Sequence, residues 1–298
     1  MPVSVARRRR VFTFFTDWMD RMAATRRKQN RRKPTQAQQA DKYELYLASV
    51  QEPSAEVAFF NRVFRKEFGR PPVWLREDFA GTAAVCYEWV KSRRDRRAIA
   101  VDLDPEPLEW GRENLAPKLK PEQRERVQLL QQDVREVSRQ KVDVLAAQNF
   151  SFYIFQTRRE LVEYFQAARK NLRDDGIFVL DMVGGPEAME GESEEEQKKN
   201  GFTYVWEQTQ FNPIDHTARF FISFRFRDGS ELRRAFDYDW RLWMMPEVRE
   251  ALLEAGFSRA DVYWEGTDRE TGEGNGVYTR RERADSDPSW VAYVVAVK

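Results

Sequence analysis

Residues 72–104 read PVWLREDFAGTAAVCYEWVKSRRDRRAIAVDLD. An extended run from Val73 to Asp78 breaks at Phe79-Ala80-Gly81-Thr82. Thr82 suits the N-cap of a helix that carries Val85, Tyr87, Trp89 and Val90. A second strand, Ala98 to Asp102, is small and branched and ends on a carboxylate. A parallel pair joined this way points backbone N–H groups at the turn and sets an acid one strand over. Such a unit makes a crevice able to hold a nucleoside.

Downstream, Pro105 opens a helix through Leu108, Trp110 and Leu115. Strands at Val127–Gln131 and Val142–Ala147, a helix over 157–172 and a strand at Gly176–Asp181 continue the alternation. Strands alternating with helices predict a doubly wound, mostly parallel sheet. The pattern changes after Gly184-Gly185. Residues 187–200 read as a solvated acidic loop, and residues 202–243 as successive antiparallel strands with a hairpin turn at Asp228-Gly229. Helical periodicity resumes at Pro246 and a strand follows at Ala260–Trp264. A polar loop is expected over 265–289, before a last strand at Trp290–Val297. Upstream, residues 34–41 read as a polar linker. Tyr43 and Tyr46 share one helical face, and a periodic helix over 55–68 stops at Gly69.

The chain has 298 residues, 33% of them charged and 41% hydrophobic, which suits a soluble protein with a sizeable core. No apolar run approaches the ~20 residues that a membrane-spanning helix needs. Cys86 is the only cysteine, which excludes an internal disulfide and a thiolate metal cluster and predicts a reducing, cytoplasmic setting. His216 is the only histidine, so multi-histidine metal sites are excluded too. Residues 1–33 carry eleven Arg or Lys against two Asp, although the whole chain nets only +1. A basic arm, residues 1–35, therefore precedes an acidic body. Val11, Phe14, Phe15, Trp18, Met19 and Met22 form one apolar helical face within it. That face suits its own domain or a homodimer mate, the basic residues suit nucleic acid or an anionic surface, and the composition also fits a processed targeting segment.

From about residue 41 onward the layout resembles the class I S-adenosylmethionine-dependent methyltransferases. The stretch Glu77-Asp78-Phe79-Ala80-Gly81-Thr82-Ala83 matches their acidic, glycine-rich first turn. Phe79 and Ala83 stand where glycine is usual. Asp102, Asp133 and Gln148-Asn149-Phe150-Ser151 follow strands two, three and four, where that family contacts ribose, adenine and the region of the methyl donor. The fragments ASVQ, EDFAGTA, WEQ and DYDWRLWMMPEVREALLEAGF look like a little-characterised branch. Its aromatic insertion resembles the lids of small-molecule methyltransferases.

The resemblance implies an α/β, doubly wound Rossmann-like domain over 36–185 and 244–298, with an antiparallel last strand. An antiparallel β lid insertion occupies 186–243. It also implies a cofactor-binding set of Tyr43, Glu77, Phe79, Ala80, Gly81, Asp102, Leu103, Asp133, Gln148, Asn149 and Phe150. Tyr46, Glu207 and Arg241 are the candidate catalytic residues, with Trp206, Tyr238, Trp240 and Trp243 as aromatic walls.

The physical chemistry agrees. A dinucleotide enzyme needs three glycines so that a diphosphate can reach the helix N-terminus, and here Phe79 and Ala80 crowd that approach. S-adenosylmethionine carries no phosphate. Glu77 is placed to hold its ammonium and Asp102 to accept both ribose hydroxyls. Arg241 would clamp an acceptor carboxylate, and Glu207 would orient or deprotonate an amine. In-line methyl transfer requires neither a metal nor a histidine. The expected partner is a small-molecule acceptor with an N or O nucleophile. Two alternatives are an RNA or DNA methyltransferase that uses the basic arm, and a non-catalytic nucleoside-binding module.

Overall fold

The computed structural model describes residues 33–268, 270 and 274–298. The expectations for the basic arm fall almost wholly outside the described residues. Two sheets organise the rest. The larger has eight strands in the order β3-β2-β1-β4-β5-β12-β10-β11. Its strands are β1 (Trp74–Asp78), β2 (Arg97–Asp102), β3 (Val127–Gln131), β4 (Val142–Ala147), β5 (Leu172–Gly184), β10 (Arg259–Thr267), β11 (Gly274–Arg281) and β12 (Trp290–Val297). Strands β1 to β5 pair in parallel, and β12 runs antiparallel between β5 and β10. All six residues of β4 are buried, as a central parallel strand covered on both faces requires.

On one face pack α3 (Pro53–Phe68), α4 (Ala84–Ser92) and α5 (Pro105–Asn114), through Phe60, Phe64, Trp89 and Leu108. On the other lie α7 (Arg158–Asn171) and α8 (Met245–Glu254), through Leu161, Phe165 and Leu252. A short α6 (Pro121–Arg124) precedes β3. Two charged residues of β1, Arg76 and Asp78, are nevertheless fully buried. Arg76 donates to Asp78 (2.6 Å) and to the Val134 and Glu136 carbonyls, while the Tyr164 hydroxyl donates to Asp78 (3.1 Å).

The second sheet is antiparallel, in the order β6 (Ser193–Lys198), β7 (Phe202–Phe211), β8 (Thr217–Phe226), β9 (Glu231–Arg241). Register puts Trp206, Phe220, Tyr238 and Trp240 on one face. There they form a continuous aromatic stack, with Tyr238–Trp240 centroids 4.5 Å apart. The opposite face is charged, with Arg225 bound to Glu194, Glu196 and Glu231, and Arg219 bound to Asp237.

Four sequence-based expectations need correction. Thr82 does not cap α4. The cap position is Ala83, in the left-handed region, with no side-chain cap bond. Residues 34–41 are not a linker. Thr35 forms a capping box on α1 (Gln36–Gln39), whose Gln36 and Ala37 amides donate to Asp228 and Ser230 at the hairpin tip. Part of the 187–200 loop is β6, because Arg225 offsets its glutamates. Part of 265–289 is β11, an eighth strand that places Tyr278 against Tyr293 and Phe59.

Helix α2 (Lys42–Ser49) ties the two sheets together. Trp110 Nε1 of α5 donates to Asp41 (2.6 Å), Lys42 bridges to Glu106 (2.8 Å), and Tyr46 packs on Phe236 of β9 (4.9 Å). Helix α5 also presses on the first turn, since a Cβ at Gly111 would sit 2.1 Å from the Thr82 carbonyl oxygen. Backbone cannot yield that far without moving the helix. Gly111→Ala should therefore lower stability by about 1–3 kcal/mol and displace the turn, measured by denaturant unfolding of both forms.

Candidate functional site

The first turn runs Phe79-Ala80-Gly81-Thr82-Ala83, and three of its residues have positive φ: Phe79 at 56°, Gly81 at 52° and Ala83 at 60°. The two non-glycine residues thus keep the backbone path that glycine would take. Holding each in the left-handed region costs on the order of 1 kcal/mol. Packing offsets this for Phe79, whose ring meets Phe155 (6.1 Å) and Tyr164 (5.7 Å). A Cβ at Gly81 would meet nothing within 4 Å, so bare space lies over that residue.

Three amides of this turn, and one early in α4, are already engaged. Ala80 N–H donates to the Val101 carbonyl and Ala83 N–H to the Ala80 carbonyl. Gly81 N–H donates to the Asp102 carboxylate (2.7 Å) and Cys86 N–H to the Glu77 carboxylate (3.3 Å). Asp102 also accepts from Asp104 N–H (2.9 Å). Two carboxylates therefore sit where a diphosphate would need free N–H groups.

Burial pushes Glu77 up to about 8, its bond from Cys86 opposing the shift, and burial also raises Asp102. Because Glu77 rises from 4.5 to about 8, the folded chain keeps a proton there that the unfolded chain loses. Its contribution to stability is present below the lower value and is lost as pH climbs to the upper one. Unfolding free energy should fall by a few kcal/mol, to order of magnitude, across that window, and Glu77→Gln should flatten the slope. Urea titrations at several pH values compare the two.

Further along the same edge, Asp133 follows β3 and is chelated by Arg135 (2.6 Å), which holds its carboxyl below the usual range. After β4, Asn149 and Phe150 both take φ of 58°. Asp181, three residues before the end of β5, pins them by accepting both amides at 2.9 Å. Burial lifts Asp181 to about 6. Gln148 is buried and donates to the Val179 carbonyl. Leu103 is 68% exposed beside Asp102. Tyr43 is buried between Trp110 (5.5 Å) and Phe236 (6.0 Å), its hydroxyl reaching Glu106, and the Tyr46 hydroxyl pairs with that of Tyr238.

The structure thus brings Glu77, Phe79, Ala80, Gly81, Asp102, Leu103, Asp133, Gln148, Asn149 and Phe150 to the carboxyl ends of four adjacent strands, with Tyr43 and Tyr46 on the helix that joins this edge to the second sheet.

Glu207 and Arg241 are not brought there. They lie across the second sheet from its aromatic face. Glu207 pairs with Arg234 (3.3 Å). Arg241 pairs with Glu247 (3.1 Å), donates to the Gln156 carbonyl and stacks on Trp243 (3.7 Å). Trp243 is a core residue, its Nε1 donating to the Phe155 carbonyl.

The residues missed from sequence are Asp181, Arg76 and Glu56. Asp181 carries the signal that marked Asp102, an acid following an apolar run. The other two are charges embedded in otherwise apolar faces. Two open grooves, of about 620 Å³ beside Asn212 and Arg219 and about 470 Å³ between α3 and α4, lie away from the strand ends.

No protein-family model and no curated protein sequence matches the chain. Among solved structures it is similar to DesVI of Streptomyces venezuelae, at 19% identity and a TM-score of 0.61 over 86% of this chain and 96% of that one. It is also similar to the CcbJ methyltransferase of Streptomyces caelestis, at 16% identity and 0.60 over 83% and 97%. A third is S-adenosylmethionine-bound CalS10, an amino pentose methyltransferase of Micromonospora echinaspora, at 17% and 0.60 over 87% and 98%. With five parallel strands, a reversed β12 beside β5 and a sheet inserted after β5, the chain carries the fold of the class I S-adenosylmethionine-dependent methyltransferases.

Proposed function

We propose that this chain is a methyltransferase that takes its methyl group from S-adenosylmethionine and passes it to an N or O nucleophile of a small molecule. One observation carries the reading. The Gly81 amide is taken by Asp102 and the Cys86 amide by Glu77, so donors a diphosphate would need are occupied and two acids stand beside the seat of a cationic nucleoside. The open space over Gly81 suits close approach of such a ligand.

In this reading Asp102 holds the ribose hydroxyls, Asp133 meets the adenine edge and Glu77 takes the ammonium. The pinned Asn149-Phe150 turn lies beside the reacting carbon. Tyr43, Tyr46 and the aromatic face of the second sheet close over the top as a lid that excludes water. The donor supplies a methyl group made electrophilic by its sulfonium. The chain supplies alignment, which is worth about 7–11 kcal/mol when reacting atoms are well placed. Arg135, the arginine beside Asp133 on this edge, is ion-paired there, and the likeness to an amino pentose methyltransferase favours a small acceptor.

The test is transfer of label from methyl-tritiated S-adenosylmethionine into a cell extract separated by size. Label is expected in the small-molecule fraction. Label confined to the RNA or DNA fraction would overturn the acceptor class. Donor binding without any transfer would leave a binding module.

A further inference from the structure

Beside the nucleoside crevice lie two buried polar atoms without partners among the described residues, one on Glu56 and one on Gln148 of the expected donor set. Glu56 stands on the first turn of α3, 8% exposed, on the face that buries Val57, Phe59, Phe60, Val63 and Phe64. Among the described residues its Oε2 has no hydrogen-bond partner, and neither has Oε1 of Gln148, which is 3% exposed. Both orphaned atoms are acceptors. A buried acceptor left bare is costly, and more so when charged, so the complement these atoms lack is a donor.

Register defines the surroundings. Asp181 of β5 lies opposite Tyr293 of β12, and Glu265 of β10 lies opposite Tyr278 of β11. The Tyr278 hydroxyl donates to Glu265 (3.3 Å). Phe59 of α3 stacks on Tyr293 (4.3 Å) and meets Tyr278 edge-on (6.2 Å), while the two tyrosines touch at 4.7 Å. The first turns of α3 therefore pack over aromatic rings flanked by carboxylates. These acids do not converge into a metal site among the described residues.

We propose that this cluster, on α3, β5 and β12, forms a recess that seats the ammonium group of the methyl acceptor, which is then a primary or secondary amine. The proposal rests on the donor reading above. Carboxylates and aromatic faces both attract a cation. The acidic and titratable groups facing Glu56 are Glu77 of β1, Asp181 of β5, Glu52 at the start of α3 and Tyr293 of β12. Burial, then the charges of Glu77, Asp181 and Glu52, push Glu56 well above the usual carboxylate range.

In turnover the ammonium passes one proton to Glu56. The freed nitrogen lone pair bonds to the donor's methyl carbon as the carbon–sulfur bond breaks, its electron pair staying on sulfur. The N-methylammonium gains the positive charge that the sulfonium loses, and Glu56 returns its proton to water.

The experiment titrates full-chain protein, saturated with S-adenosylhomocysteine, with glucosamine and isobutylamine, and with glucose and isobutanol as neutral partners. Both amines should bind and both neutral partners should not. The nearly isosteric Glu56→Gln should weaken the amines about tenfold or more while leaving S-adenosylmethionine affinity within about twofold. Glu265→Gln, at the other rim, should act in the same direction and carries the test if the first variant fails to fold. The proposal is overturned if Glu56→Gln weakens the donor instead, which would assign the recess to the donor's own ammonium. It is overturned equally if amines and alcohols bind alike, or if no amine binds to donor-competent protein. Failure of the parent protein to bind S-adenosylmethionine at all removes the donor reading, and this one with it.

Discussion

Asp102→Ala should weaken S-adenosylmethionine binding about a hundredfold, roughly 3 kcal/mol, while changing thermal stability little. The carboxylate is poised at the end of β2 by the Gly81 and Asp104 amides, which fix its orientation before any ligand arrives. A carboxylate that accepts two sugar hydroxyls makes charge-assisted bonds, each worth more than a neutral one. Its removal leaves those amides at a partly exposed edge, where water replaces the lost acceptor, so the fold is spared. Asp102→Asn keeps the shape and one acceptor and should fall between. Calorimetric titration reads the affinity and a melt reads the fold. Unchanged affinity in the alanine variant would remove Asp102 from the site.

The largest expected effect on stability is at Arg76. The guanidinium and its Asp78 partner are both fully buried, and truncating one member of such a pair strands the other charge, at a cost of about 3–5 kcal/mol. Arg76→Ala should show this loss by chemical denaturation. Arg76→Met combined with Asp78→Leu should recover most of it, since apolar replacement of a buried pair is often neutral. The two variants should share a second defect. Arg76 also donates to the carbonyls of Val134 and Glu136 (2.8 and 3.2 Å), which anchor the turn carrying Asp133. Donor affinity should thus stay reduced in the double variant after stability returns. Recovery of both together would mean that the anchor has no bearing on the site.

Where periodicity and chain breaks agreed, the fold was legible in the sequence. The strands at Val127–Gln131 and Val142–Ala147, the last strand and the Asp228-Gly229 hairpin stand where pattern and turn chemistry put them. Strands β6 and β11 were not legible, because these two edge strands carry no apolar alternation. β6 owes its place to Arg225, some thirty residues further on, and β11 to packing against Phe59 and Tyr293. The start of α4 was misread because a left-handed Ala83, rather than a capping hydroxyl, begins it. Glu77 and Asp102, near the ends of their strands, were legible as acids beside the first turn. Parity along β7 and β9 already separated Glu207 from Trp206 and Arg241 from Trp240, since neighbours in a strand point to opposite faces. Glu56 and Asp181 needed the tertiary structure, because only the fold reveals which acceptors stay bare and which amides an acid pins.

In the proposed reading, acids taking the Gly81 and Cys86 amides make this crevice a seat for a sulfonium nucleoside and bar a dinucleotide. Parallel calorimetric titration of the full chain with S-adenosylmethionine and with NAD tests it most directly. Saturable binding of the first and no heat from the second is the expected result. Saturable NAD binding, with S-adenosylmethionine inert, would contradict it.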